Sequence, residues 1–200
     1  MEELSIVKLQ TPLRAERVRE LKAGDIVTLD GDVFIFRDRP HRQVYDYLKN
    51  GRQQQIPFDL TGQVIFHTGP IMEKTADGWR VVVVGSTTSI KLESLEPTII
   101  RHYNIRGVIG KGGMGAETTE AMKEVGCVYF AQVGGAAALL TEGVKEVVEV
   151  FWLEENSITE AVWHLKVKDF GPFIVAIDSH GRNLYIENEN KVKKKLLEGV

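Results

Sequence analysis

Two lysines stand in runs of small residues, each directly behind an apolar run. Val81-Val82-Val83-Val84 leads into Gly85-Ser86-Thr87-Thr88-Ser89-Ile90-Lys91, and Gly107-Val108-Ile109 leads into Gly110-Lys111-Gly112-Gly113-Met114-Gly115. A strand, a small-residue turn and a helix start make an anion site, because the first N–H groups of a helix lack partners and its dipole is positive there. A cation in a first helical turn opposes that dipole. Two lysines so placed predict a bound anion with two negative groups. Thr87-Thr88-Ser89 supplies three hydroxyls where a helix cap needs one. A hydroxyl beside two lysines can bind a substrate or carry a proton, the latter only with strong local electrostatics, since threonine is a poor base.

Other anion chemistries fit less well. Gly110 to Gly115 matches G-x-G-x-x-G, but a dinucleotide site also needs a carboxylate about 20 positions on, after the next strand. The chain reads Ala131-Gln132-Val133-Gly134 there. A P-loop needs Ser or Thr after its lysine, and Gly112 follows Lys111. Arg37-Asp38-Arg39-Pro40-His41 closes a strand and opens a helix, and its arginines can make a forked carboxylate contact. The plainer reading makes Asp38 a cap and His41 a surface histidine. His67, His102, His164 and His180 show no metal-ligand spacing on one face and read as structural or exposed, so no metal ligand is expected. No Gly-x-Ser-x-Gly elbow or Cys–His nucleophile pattern is present.

The elements that position these residues must come from 200 residues with 43% hydrophobic and 26% charged side chains. That suits one domain over 1–200 with an ordinary core. Net charge is -3, with 25 basic and 28 acidic residues, which argues against nucleic acid as a partner. The single cysteine, Cys127, excludes an intrachain disulfide. It reads as a buried thiol and cannot alone hold an iron–sulfur cluster. No signal peptide or apolar run of about 18 residues is seen, so a cytoplasmic location is expected.

Strands are expected at Leu4 to Leu9, Ile26 to Leu29, Val33 to Phe36, Val64 to Thr68, Trp79 to Val84, Val108-Ile109, Val128 to Ala131, Val144 to Val150, Leu165 to Val167, Phe173 to Ile177 and Leu184 to Ile186. Asp30-Gly31 reads as a hairpin turn, and the unbroken valines before Gly85 read as a strand covered on both faces. Helices are expected at Arg14 to Lys22, Pro40 to Lys49, Ser89 to Tyr103 (with Pro97 as a break), Ala116 to Val125 and Gly134 to Leu140, with a solvated one from Lys191. β-rich ends thus flank a βαβαβ middle with a parallel sheet. Ligands of such sheets sit at the carboxyl ends of strands, where both lysine turns fall.

Thr11-Pro12-Leu13, Leu21 to Asp25, Arg37-Asp38 with His41, His67-Thr68-Gly69-Pro70, Gly85 with Thr87-Thr88, Gly110-Lys111-Gly112, Val133 to Ala138, Glu160 to Trp163 and Val167 to Phe170 together resemble the β subunit of class I fumarase and L-tartrate dehydratase, the iron–sulfur hydro-lyases. In single-chain members this region corresponds to the C-terminal domain. The resemblance covers nearly the whole chain. It implies an α/β fold, a swivelling β/β/α domain with a mixed, partly parallel central sheet and β-rich terminal segments. It also implies reversible hydration of a dicarboxylate double bond, with a [4Fe-4S] cluster held by the cysteines of a partner α subunit in an α2β2 assembly.

By the same resemblance, Thr87 takes the position of a proton-transfer threonine, with Thr88 beside it. Arg37, Lys91 and Lys111 take substrate-binding positions, with Gly110 and Gly112 flanking Lys111. Two residues depart from the pattern: Lys91 stands for an arginine and so lacks its bidentate fork, and Ser86 stands for a proline. The leading expectation is the β subunit of a fumarate hydratase forming (S)-malate, with the Trp163 region closer to the fumarases. A tartrate or other hydroxy-diacid dehydratase is the alternative. A non-catalytic anion-binding module is the alternative from another class.

Overall fold

Short strands alternate with helices along residues 5–198, the part of the chain that the computed structural model describes. In chain order these are β1 (Ile6–Gln10), α1 (Ala15–Glu20), β2 (Ile26–Ile35), α2 (Asp38–Lys49), β3 (Val64–Phe66), β4 (Ile71–Thr75), β5 (Gly78–Val83), α3 (Glu96–Tyr103), β6 (Gly107–Gly110), α4 (Ala116–Val125), β7 (Val128–Ala131), α5 (Ala137–Gly143), β8 (Val144–Phe151), β9 (Val162–Ile177) and α6 (Leu184–Leu197). Among the described residues no helix is long and apolar enough to cross a membrane.

Seven strands form one mixed sheet in the order β1-β2-β3-β6-β7-β9-β8. β2, β3, β6 and β7 run parallel to one another. β9 pairs antiparallel with β7 and also with β2, so the sheet closes on itself as a barrel. The long β9 makes this possible, because different stretches of it serve β8, β2 and β7. The expected mixed α/β architecture is therefore present, and closure leaves fewer open edges than a flat sheet would.

Side chains alternate across a strand, and here each face feeds its own core. Val33, Ile35, Val64, Phe66, Ile109, Val128 and Phe130 join one apolar cluster with Trp163, Phe170 and Phe173. Their neighbours Phe34, Phe36, Ile65, Val108 and Tyr129 join a second, with Val44, Ile99, Ile100, Ala121 and Met122 of α2, α3 and α4. One cluster fills the closed side of the sheet. The other fixes the helices against it.

Several expected elements differ. Asp30-Gly31 is no hairpin turn: β2 runs straight through it, because β9 pairs along both halves with a register shift between Leu29 and Gly31. Gly31 has φ +107°, and an added Cβ there would stand 2.6 Å from the Thr11 carbonyl. The valine run is not buried on both faces. β5 pairs only with β4 in a separate hairpin, where Trp79 packs on Trp163 and Val82 stays 48% exposed. The expected strands at Leu165 and Phe173 are one strand, β9. Leu184 to Ile186 starts a helix, because Asn183 Oδ1 accepts from the N–H groups of Tyr185 and Ile186 and this cap outweighs the strand propensity of those residues. The expected helix from Ser89 splits into a three-residue 3-10 turn, Ile90–Leu92, and α3. The N-terminal strand begins at Ile6; Leu4 lies outside the described residues.

Phe170 is fully buried between Phe66 and Phe173. Phe170→Ala should lose about 3–5 kcal/mol in chemical denaturation, while Val82→Ser should change stability by no more than about 0.5 kcal/mol. Equal losses would contradict the assignment of Val82 to a solvent-facing hairpin.

Candidate functional site

Parallel strands deliver their carboxyl ends to one side of the molecule. β2 leads into Phe36-Arg37, β3 into His67-Thr68, β6 into Lys111 and β7 into Gln132. After β5 the chain returns across this edge. Ser86 bridges Thr68, and Thr88 bridges Lys111. The Thr87 N–H donates to the His67 carbonyl (2.7 Å), the Ser89 N–H to the Lys111 carbonyl (2.8 Å), and the Lys111 N–H to the Thr87 carbonyl (3.3 Å). The two lysine turns are thus laced into one surface. Gly110 is required beneath it: an added Cβ would overlap Ser89 Oγ and lie 2.7 Å from the Tyr129 hydroxyl. Gly112 has φ +77°, and an added Cβ would press on the Thr88 methyl at 3.2 Å.

The cations divide into two groups. Lys91 Nζ stands 2.7 Å from Asp38 Oδ2, and Arg37 Nε is 3.5 Å from the same oxygen. Arg37 also pairs with Glu160 at 3.2 Å and packs so close to Gly69 that a Cβ there would meet its guanidinium at 2.5 Å. Lys111 is exposed and, among the described residues, forms no ion pair. It lines a cavity of about 200 Å³ with Gly85, Ser86, Gln132, Gly134 and Gly135. Gln132 fixes one wall by accepting from the N–H and hydroxyl of Ser86. Thr87 is half-buried, its hydroxyl donating to the His67 carbonyl at 3.0 Å, and Thr88 is exposed.

Helix ends play no part in this arrangement. Lys91 lies in the 3-10 turn, before α3 begins. The N-terminus of α4 already holds an anion, Glu93, whose carboxylate accepts from Gly115 N–H (2.7 Å), Thr118 N–H (3.0 Å) and the Thr118 hydroxyl (2.7 Å). The positive charge on this surface therefore comes from side chains and not from helix N-termini, which corrects the dipole reading. Asp38 is also no cap. It is the first residue of α2, and its carboxylate faces Lys91 and Arg37.

Sequence reasoning missed a buried group behind this surface. His41, His67 and Glu96 are all fully buried, with donor atoms within 4.8 Å of one another. They come from α2, from the residue after β3 and from the start of α3, 26 and more positions apart, so no short spacing betrays them. His41 is accordingly not a surface histidine. Burial pushes the His67 imidazole below its ordinary value, against the pull of Glu96. Burial alone would raise Glu96, but the two imidazoles opposite it win and draw its carboxyl far below the usual carboxylate range. Of the other histidines, His164 pairs with Asp32, and His180 contacts the Arg19 carbonyl. Cys127 is fully buried, and burial pushes its thiol well up.

The sequence model of a family described as Fumarase C-terminus matches residues 1–188. A Methanocaldococcus jannaschii protein provisionally named L(+)-tartrate dehydratase subunit beta is 44% identical over 93% of this chain and 94% of its own length. The L(+)-tartrate dehydratase subunit beta of Escherichia coli K12 is 40% identical over 90% of this chain and 87% of its own. A Geobacillus stearothermophilus protein provisionally named fumarate hydratase class I is 42% identical over 97% of this chain, which spans 36% of that longer protein.

Folded His67 and Glu96 both hold fewer protons than their unfolded forms, so acid destabilises the fold. The loss should begin as pH falls below the ordinary histidine value of 6.5 and deepen below the ordinary carboxyl value of 4.5. Between pH 7 and 5 the Tm of the native chain should fall more steeply than that of His67→Gln. Parallel curves would contradict the burial of a neutral His67.

Proposed function

Because the chain belongs to the Fumarase C-terminus family, we propose that it is the β subunit of a two-chain hydro-lyase, adding water reversibly across the double bond of a four-carbon dicarboxylate. The proposed pair is fumarate and (S)-malate. The observation that carries this reading is the lacing of Thr87 and Lys111 into one surface at the strand ends, with Lys91 four residues past Thr87 and Arg37 joined to Lys91 through their shared Asp38.

In this reading Lys111 takes one substrate carboxylate, since no acid of this chain neutralises it among the described residues. Arg37 takes the other, its guanidinium already held by Glu160 and Asp38. A carboxylate at Lys91 competes with Asp38 for its ammonium group. Thr87 stands beside the reacting carbon, where its hydroxyl can pass a proton to or from substrate. The remaining acid–base groups come from a partner α subunit, in an α2β2 complex.

That partner is also assigned a [4Fe-4S] cluster. Cys127, the only cysteine, is sealed in the core as a thiol, so this chain offers no thiolate to a cluster. When bound, such a cluster supplies a Lewis acid for substrate oxygens. This chain's own part in the proposed mechanism is to position substrate with its cations and to offer the Thr87 hydroxyl for proton transfer.

L(+)-tartrate is the second reading, supported by the names of the Methanocaldococcus and Escherichia relatives, which match this chain over most of their own length. Trp163, whose region resembles the fumarases, is fully buried against Trp79 and donates to the Ile158 carbonyl.

Anaerobic co-expression with the α-type chain, followed by assay of fumarate, malate and tartrate, tests the substrate. In the active pair, Thr87→Ala should lower kcat about 100-fold or more. Lys111→Ala should raise KM about tenfold or more, as expected for loss of a charge-assisted contact. Unchanged kcat would remove Thr87 from the chemistry. Unchanged KM would remove Lys111 from the site.

A further inference from the structure

Glu96 opens α3 with a fully buried carboxylate. Its Oε2 lies 2.6 Å from His41 Nε2 and 3.4 Å from His67 Nε2. The approaches are oblique, so by angle none of these atoms completes a regular hydrogen bond. His41 nonetheless faces Glu96 at ion-pair distance in a dry interior. As placed, His41 and Glu96 do not suit a tetrahedral zinc. Two ligands of a tetrahedral zinc stand about 3.3 Å apart, and His41 and Glu96 are closer than that.

The far side of each imidazole reaches the site. His41 Nδ1 donates to the Arg37 carbonyl at 2.6 Å. His67 Nδ1 lies 2.9 Å from Ser89 Oγ, which accepts from the Tyr129 hydroxyl at 2.9 Å. Burial keeps the Tyr129 hydroxyl protonated, so Ser89 donates to Nδ1 and the His67 proton sits on Nε2, toward Glu96. The His67 carbonyl meanwhile accepts both the N–H and the hydroxyl of Thr87. One carboxylate therefore stands between an imidazole bonded to the Arg37 backbone and an imidazole whose own carbonyl holds Thr87, 2.6 Å from the first and 3.4 Å from the second.

We propose that Glu96 is the positioning residue of the site, holding the Arg37 segment and the Thr87 segment in register through His41 and His67. The proposal rests on the hydro-lyase reading for its catalytic consequence, but its structural half stands apart. Loosening the tie shifts Thr87 relative to a substrate anchored at Arg37. A misplacement of about 1 Å costs up to about 100-fold in rate, while the binding cations themselves are untouched.

Glu96→Gln keeps the shape and removes the charge. In the isolated chain, its amide hydrogen exchange should be at least about tenfold faster at Thr87 and Ser89 and unchanged at Met122 in α4. In the two-chain enzyme its kcat should fall about 10- to 100-fold with KM within about threefold, and Thr87→Ala combined with Glu96→Gln should be no slower than Thr87→Ala alone. Unchanged exchange at Thr87, fully multiplicative kcat losses, or one equivalent of a divalent metal bound to the native chain and absent from Glu96→Gln would overturn the proposal. Should Glu96→Gln fail to fold, His67→Gln cuts the same tie on the Thr87 side and should give the same exchange result; normal exchange at Thr87 there would also overturn it. Faster exchange at Thr87 together with full turnover by Thr87→Ala would leave the tie standing and defeat the hydro-lyase role of Thr87 instead.

Discussion

Three main-chain hydrogen bonds hold the site together: Thr87 to His67, Ser89 to Lys111 and Lys111 to Thr87. They join a segment that has left the barrel for a separate hairpin back to the ends of β3 and β6. Without them the two lysine turns would be unrelated loops. The barrel makes them possible, because parallel neighbours end at the same level and expose unpaired carbonyls and N–H groups beyond their last ladder bond. The returning segment satisfies these groups and, in doing so, carries Thr87 and Thr88 to one surface and buries the Ser89 hydroxyl beneath it. The small residues follow from this, since Gly110 must leave room for Ser89 and Tyr129.

Charge is arranged with similar economy. The N-terminus of α4 is filled by Glu93, and Arg37 and Lys91 are balanced around Asp38 and Glu160. Buried or half-buried cations need such partners to keep a fixed place. Lys111 differs in having no carboxylate against it among the described residues. In the proposed site a dianion would meet one uncompensated cation and a second group whose local acids only hold it in place. That proposal reconciles an anion site with a net charge of -3.

Much of this was legible in the sequence because local spacing carried it. Ala116–Val125 and Val128–Ala131 follow from apolar periodicity and their flanking glycines. The carboxyl-end rule put the Lys111 turn at the end of a parallel strand, β6, while the Thr87 turn follows β5 outside that sheet and Arg37 was reached through the family resemblance. Local spacing failed where distant pairing decided. Asp30-Gly31 carries a turn signal, yet β9 overrides it with a continuous ladder. The valine run has the composition of a central strand, yet β4 is its only partner among the described strands. The His41–Glu96–His67 group was out of reach for the same reason: its members meet only after α2, β3 and α3 have packed. The helix dipole misled, because Glu93 sits far enough back in sequence to look like an ordinary helical acid.

The central claim is that these strand ends form one part of a site completed by a second chain. The most direct measurement purifies the two chains separately under anaerobic conditions and titrates this chain into a fixed amount of its α-type partner, following dicarboxylate hydration. The account predicts no turnover from either chain alone and a rise that saturates at one equivalent. Full turnover by the isolated partner, or by this chain alone, would contradict it.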